Sequence, residues 1–166
     1  MSGRGEDFAV LLARELEAFQ REIDLFPDDA SVWIAPEGIT NSAGTLALHV
    51  AGNLRHFIGA VLGRNGYVRN REAEFSKRSG TRAELVAELG AAIEVVRQVL
   101  PLVPDGVWKA EFPEPVMGNT LPAGLFLMHL VSHTGYHLGQ AGYLRRMLTG
   151  DATSTGALPL KALTLH

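Results

Sequence analysis

A chain of 166 residues, 46% hydrophobic and 20% charged, has the length of one domain and enough apolar matter for a core. A formal net charge of −3 gives no electrostatic ground for nucleic acid or an anionic membrane surface as partner. Cysteine is absent, which excludes disulfides, thiolate metal sites and a cysteine nucleophile.

The N-terminus, Met1-Ser-Gly-Arg-Gly-Glu-Asp7, runs into a charged helical pattern without the apolar stretch of a signal peptide. A cytoplasmic location is therefore the expectation. The first helix is expected from about Asp7 to Phe26. Phe8, Leu12, Leu16, Phe19, Ile23 and Phe26 recur at helical spacing, and Arg14, Glu15, Glu17, Arg21, Glu22 and Asp24 fall largely on the outer face. Pro27 stops it. The second is expected from about Ser42 to Leu62, with Asn41 or Ser42 as N-cap and Gly63 as its stop. Arg64, Arg69, Arg71, Lys77 and Arg78 then read as a solvated loop, interrupted by Glu72 and Glu74.

The third helix starts at Thr81, where Thr81 and Glu84 form a capping-box pattern. Leu85, Leu89, Ile93, Val96 and Leu100 supply its stripe, and Pro101 ends it. The fourth runs from near Leu121 to about Leu148, with Pro122 in the first turn and Gly150 as its end. Nothing reads as strand. The expected architecture is all-α: a four-helix bundle over residues 1–150 with long inter-helix connections, followed by an extended tail over residues 151–166 that can dock on the bundle.

From Pro115 to Leu144, and again from Gly38 to Leu54, there is no Asp, Glu, Lys or Arg. The first run contains Asn119, Ser132, Gln140 and three histidines, which are costly in lipid, so a helix buried on most sides is expected and not a membrane span. Polar imidazoles placed where solvating charge is absent need partners.

His129, His133 and His137 follow one another at spacing four, and residues at i and i+4 lie one above the other on a helix. Two such imidazoles can reach one metal ion. A third ligand must come from another helix, and His49 is the best candidate. His56 is expected to be exposed beside Arg55, and His166 lies in the tail. No Glu-x-x-His occurs on any helix, which excludes a ferritin-like di-iron site. In His133-Thr-Gly-Tyr-His137, Thr134 stands where a zinc protease keeps its general-base glutamate. Tyr136, Gln140 and Asn53 lie one turn from these histidines as candidate helpers. Trp33 and Trp108 fall in the connections, as pocket lining or as core anchors.

Asn41-Ser-Ala-Gly-Thr-Leu-Ala-Leu-His49 resembles the helix-two entry of the DinB/YfiT-like bundle proteins. His133-Thr-Gly-Tyr-His137-Leu-Gly-Gln140 is similar to their His-x-x-x-His-Arg-Gly-Gln motif, with Leu138 in place of the common arginine. Arg69-Asn-Arg-Glu-Ala-Glu-Phe75 and Thr81-Arg-Ala-Glu-Leu85 also resemble that family. The resemblance implies an up-down-down-up order and a metal triad of His49, His133 and His137. His129, about 80° around the helix from His137, falls beside the site.

The resemblance further implies one divalent ion (zinc, nickel, manganese or iron) and, in members of known activity, a low-molecular-weight thiol cosubstrate in S-transferase, isomerase or hydrolase chemistry on a small molecule. It also supports a homodimer, which the long uncharged fourth helix suggests independently. The competing expectation is a non-catalytic, metal-stabilised dimeric module.

Overall fold

The computed structural model describes residues 3–155 and 160–163. Among them there is no strand, only two isolated bridges, Glu111 with Pro122 and Val116 with Asn119. The fold is all-α.

Four long helices make the bundle. Helix α1 spans Arg4–Asp24, and Glu6 near its start accepts the Gly3 N–H at 2.9 Å. Helix α2 spans Ala43–Leu54, and Ser42 Oγ caps it by accepting the Thr45 N–H at 3.1 Å. It continues without a break as a π-helix over Arg55–Leu62, closed by a Gly63 N–H donating to the Ile58 carbonyl at 2.9 Å.

Two short helices lie inside the connections expected to be loops: α3 at Arg71–Ser76 and α5 at Asp105–Lys109. Between them α4 spans Arg82–Val99. Its Thr81/Glu84 capping box is present, with both bonds at 3.1 Å. Helix α6 spans Ala123–Thr149 and stops at Gly150, whose φ of 67° is left-handed.

Helices α1 and α2 each pack between α4 and α6. Their senses follow from which residues meet. Gly135 and Gly142 of α6 lie over Glu15 and Glu22 of α1, so these two run parallel. Gly59 and Gly63, at the end of the second helix, meet Val95 and Val99 of α4, again parallel. Phe57 meets Phe126 edge to face while His49 meets His137, so α2 with its π-helical extension runs antiparallel to α6. Leu12, Leu16, Phe19, Leu54, Ile58, Leu85, Leu89 and Leu127 are fully buried between the four. Each such side chain stabilises the fold by roughly 1.5–3 kcal/mol.

The outer face expected for α1 needs correction. Glu15 and Glu22 are buried, not solvated. A helix flanked by two neighbours buries a wider arc than its aliphatic stripe marks, and both carboxylates fall on the α6 side of that arc. Glu22 Oε2 accepts from Nε of the fully buried Arg145 at 2.6 Å. Thr155 Oγ1 donates to Glu22 Oε1 at 3.0 Å, and Arg145 donates to the carbonyls of Asp151 (at 3.1 Å) and Thr153. Residues 151–155 are thereby clamped over α1 and α6, and Leu160–Leu163 forms a 3-10 turn against α1. The rest of the expected tail, including His166, lies outside the described residues. Among those described, no helix is long and apolar enough to cross a membrane.

Removing Glu22 leaves the buried Arg145 guanidinium with only the exposed Asp151 carboxylate, 3.8 Å away, as countercharge. Glu22→Ala should cost about 3–5 kcal/mol in urea denaturation, and a loss below about 1 kcal/mol would show the pair to be exchangeable with solvent.

Candidate metal centre

Helix α2 owes its central position to small residues. Ala43, Gly44, Ala47, Ala51 and Gly52 let neighbouring elements come close. At Gly44 a Cβ would stand 2.9 Å from the Trp33 ring, and at Gly52 it would stand 2.1 Å from Glu74 Oε1. Gly52 therefore admits the carboxylate of Glu74, carried by α3, to the side of His49.

The carboxylate is held from both sides. Arg69 donates to it as a fork, Nε to Oε1 and Nη2 to Oε2, each at 2.7 Å. Burial pushes the Glu74 pKa up, but the bonds from Arg69 and His49 outweigh that and hold it below the usual carboxylate range. Glu74 is thus ionised and carries no proton. The 3.2 Å contact between Glu74 Oε2 and His49 Nδ1 is then a hydrogen bond donated by the imidazole, with Arg69 Nη2 3.3 Å from the same nitrogen. The Phe75 ring packs on His49 at a centroid distance of 4.8 Å.

Helix α6 repeats the device. His137 Nδ1 lies 2.7 Å from Gln140 Oε1, one turn on, and donates to it. With Nδ1 as donor in both rings, Nε2 of His49 and Nε2 of His137 each present a lone pair. Both point at one place, because His133 Nε2 lies 3.2 Å from the first and 3.1 Å from the second. The three ligand atoms all lie within 4.8 Å of one another. A tetrahedral ion with bonds of about 2.0–2.1 Å would hold its ligand atoms roughly 3.3 Å apart.

One proton on His133 Nε2 can serve only one of its two neighbours, whereas a cation serves all three. The residues present therefore fit a metal ion. A further polar atom nearby lacks a partner: Asn53, one turn beyond His49 and buried, has its Oδ1 unbonded. Burial lowers the pKa of His133 to about 3, with the neighbouring imidazoles adding to the effect. Burial likewise lowers that of His137, partly opposed by Gln140. His133 and His137 are therefore neutral near pH 7, as metal ligands must be.

The structure brings His49, His133 and His137 together and leaves the other histidines out. His129 is exposed, its ring 5.6 Å from that of His133. His56, expected to be exposed, is half-buried and 2.7 Å from Glu114 Oε1. Tyr136 is exposed, with its ring 5.3 Å from His137. Trp33 and Trp108 are both buried anchors. Trp33 Nε1 donates to the Gly80 carbonyl at 2.8 Å, and Trp108 packs on Phe8.

The solvated-loop reading of residues 64–78 is corrected for Arg69 and Glu74. Both are largely buried, and together they set the ring of His49. The charge pattern alone hides this. The available signals are the family resemblance of Arg69-Asn-Arg-Glu-Ala-Glu-Phe75 and Gly52, a glycine inside a helix.

The fold and the site define a four-helix bundle with three imidazoles arranged to hold one metal ion. The model of the DinB superfamily matches residues 11–141, and the chain belongs to that superfamily. A search of curated proteins finds no match. Among solved structures, a conserved protein from Enterococcus faecalis is similar, with a TM-score of 0.73 and 17% identity over 91% of this chain and 100% of that one. That likeness bears on the fold alone.

The depressed imidazole pKa values have a consequence for stability. In the unfolded chain a histidine protonates near 6.5, whereas His133 in the folded chain resists protonation down to about 3. Between those values the unfolded state binds more protons, so stability falls as pH falls. The stability of the metal-free protein should therefore drop from about pH 6.5 downward, and less steeply in His133→Gln. Parallel pH profiles of urea midpoints for the two proteins would contradict this.

Proposed function

We propose that the chain is a metal-dependent enzyme acting on a small molecule, with one divalent ion held by His49, His133 and His137. The observation that carries the reading is the convergence of three imidazole Nε2 atoms, two of them with Nδ1 already committed to Glu74 and Gln140. Three neutral nitrogen ligands leave coordination positions open, which distinguishes a catalytic site from a closed structural one. When bound, such an ion supplies Lewis acidity and lowers the pKa of a water or thiol beside it. Glu74 and Gln140 keep the rings in their productive tautomer, and Arg69 keeps Glu74 in place. Half-burial of His133 and His137 leaves the site open at the α2/α6 edge.

A thiol-dependent transfer or isomerisation is the finer reading, carried by the resemblance of the two histidine motifs. The ion can be zinc, nickel, manganese or iron. Each of His49→Ala, His133→Ala and His137→Ala should lose most of the bound metal, while His56→Ala and His166→Ala keep it. Because burial holds His133 and His137 below the ordinary histidine range, uptake by the folded wild-type protein should persist below about pH 6.5 and weaken only further into acid. Metal content per folded chain measures all of this, and wild-type content in the three triad variants would sink the assignment.

A non-catalytic, metal-stabilised homodimer is the second reading, favoured by the outer face of α6. Leu125, Met128, Tyr136, Tyr143 and Met147 are all exposed there, and the face carries no charge between Leu125 and Tyr143. Ser132 and Gly139, seven residues apart on the same face, allow a second helix to come close. Turnover of a thiol adduct favours the enzyme; metal that only raises the melting temperature favours the module. On either reading the chain is a homodimer, and cytoplasmic. Sedimentation velocity at micromolar concentration should give a dimer for the wild-type protein and a monomer for the Tyr136→Lys/Tyr143→Lys double variant. A wild-type monomer would remove the dimer from both readings.

A further inference from the structure

A groove of about 360 Å³ runs along the seam between α2 and α6, on the side of the metal centre toward the N-terminus of α2. Ile39, Leu46, Tyr143, Leu144 and Met147 form its apolar walls. Gln140 joins it to the centre, because the same side chain lines the groove and accepts the hydrogen bond from His137 Nδ1–H. Leu46 lies about one helical turn before His49, and Leu144 about two turns after His137, so the groove starts within about 5 Å along the axis of the ligands.

Three features define what fits. No Asp, Glu, Lys or Arg lines the groove, and its polar groups are neutral ones from Thr40, Asn41, Gln140 and Tyr143. A multiply charged body would be desolvated there without a partner. The exposed side chains of Ile39, Tyr143 and Met147 at the rim leave apolar surface in water that a ligand can cover. The volume is at the small end of ligand pockets.

We propose that this groove is the substrate subsite of the metal centre, and that it takes a small molecule with one metal-ligating head and an uncharged, mainly aliphatic or aromatic body. The inference rests on the metal reading above. The head lies at the three imidazoles, and the body lies along Leu46 and Leu144. Thr40 and Asn41 offer hydrogen bonds to a single neutral polar group at the far end.

The test compares two hydroxamates that ligate zinc identically and differ only in the tail. Acetohydroxamate and octanohydroxamate are titrated by calorimetry into zinc-loaded and zinc-free protein, after zinc content has been measured. On zinc-loaded protein the octanoyl probe should bind at least about thirtyfold more tightly, since each buried methylene contributes favourably. In Ile39→Glu, which lies outside the α6 face, and in Met147→Glu, which lies on it and whose oligomeric state is measured alongside, that advantage should fall to within about threefold while acetohydroxamate binds as before.

Equal binding of the two probes to the wild-type protein would overturn the groove and leave the metal centre standing. An octanoyl advantage that survives in both variants would place the tail elsewhere and also overturn it. Failure of both probes on zinc-loaded protein would overturn the groove and the open coordination site together. Protein that takes up no zinc would overturn the metal reading and this inference with it.

Discussion

His133 Nε2 lies 3.2 Å from His49 Nε2 and 3.1 Å from His137 Nε2, and the two outer rings are tethered at their other nitrogens. His49 is tethered through Nδ1 to a carboxylate and His137 through Nδ1 to an amide oxygen. The tethers decide the tautomers, the tautomers aim the lone pairs, and the lone pairs leave a gap suited to a cation. Much of the surrounding structure follows from that constraint. Gly52 lacks a side chain so that Glu74 can reach His49, α3 exists to deliver Glu74, and Arg69 neutralises a carboxylate that burial would otherwise protonate.

The two uncharged helices explain why the tethers come from outside them. Helices α2 and α6 meet along one seam, and a carboxylate within either would have to be desolvated there. The charge is supplied instead from the 63–81 connection, where Arg69 and Glu74 enter as an already neutralised pair. A second buried ion pair, Glu22 with Arg145, follows the same logic on the α1 side of α6. There the backbone carbonyls of residues 151 and 153 complete the hydrogen bonding of the guanidinium, so the segment after Gly150 belongs to the packing of the bundle. Glu22 with Arg145 couples segments 123 residues apart, whereas Arg69 and Glu74 are five apart and reach a distant segment only through His49.

The centre lies at an edge, not in the core. His49 is buried while His133 and His137 are half-exposed, so the ligands are rigid on one side and accessible on the other. That asymmetry suits chemistry on a molecule arriving from solvent. The uncharged groove beside it and the uncharged outer face of α6 share Tyr143 and Met147. A second copy of the chain on α6 would therefore bound the groove as well as cover the helix.

Periodicity, caps and composition determined the four long helices, the absence of strands and the grouping of histidines on two charge-free segments. These are local properties, written in spacing of three and four residues. The Thr81/Glu84 cap and the Gly150 stop needed nothing beyond their immediate neighbours. The resemblance of the two histidine motifs singled out His49, His133 and His137, and the packing of α2 against α6 set their rings edge to face with the Nε2 atoms together. What local pattern could not show was which charges lie inside. Glu15 and Glu22 have the spacing of a solvated face until α6 packs over them. Arg69 and Glu74 have the composition of a solvated loop until α3 folds back onto Gly52. The π-helical turns after Leu54 and the hidden roles of α3 and α5 belong to the same class. Burial of these charges depends on partners 25 and 123 residues away, His49 for Glu74 and Arg145 for Glu22, and only the tertiary structure brings them together.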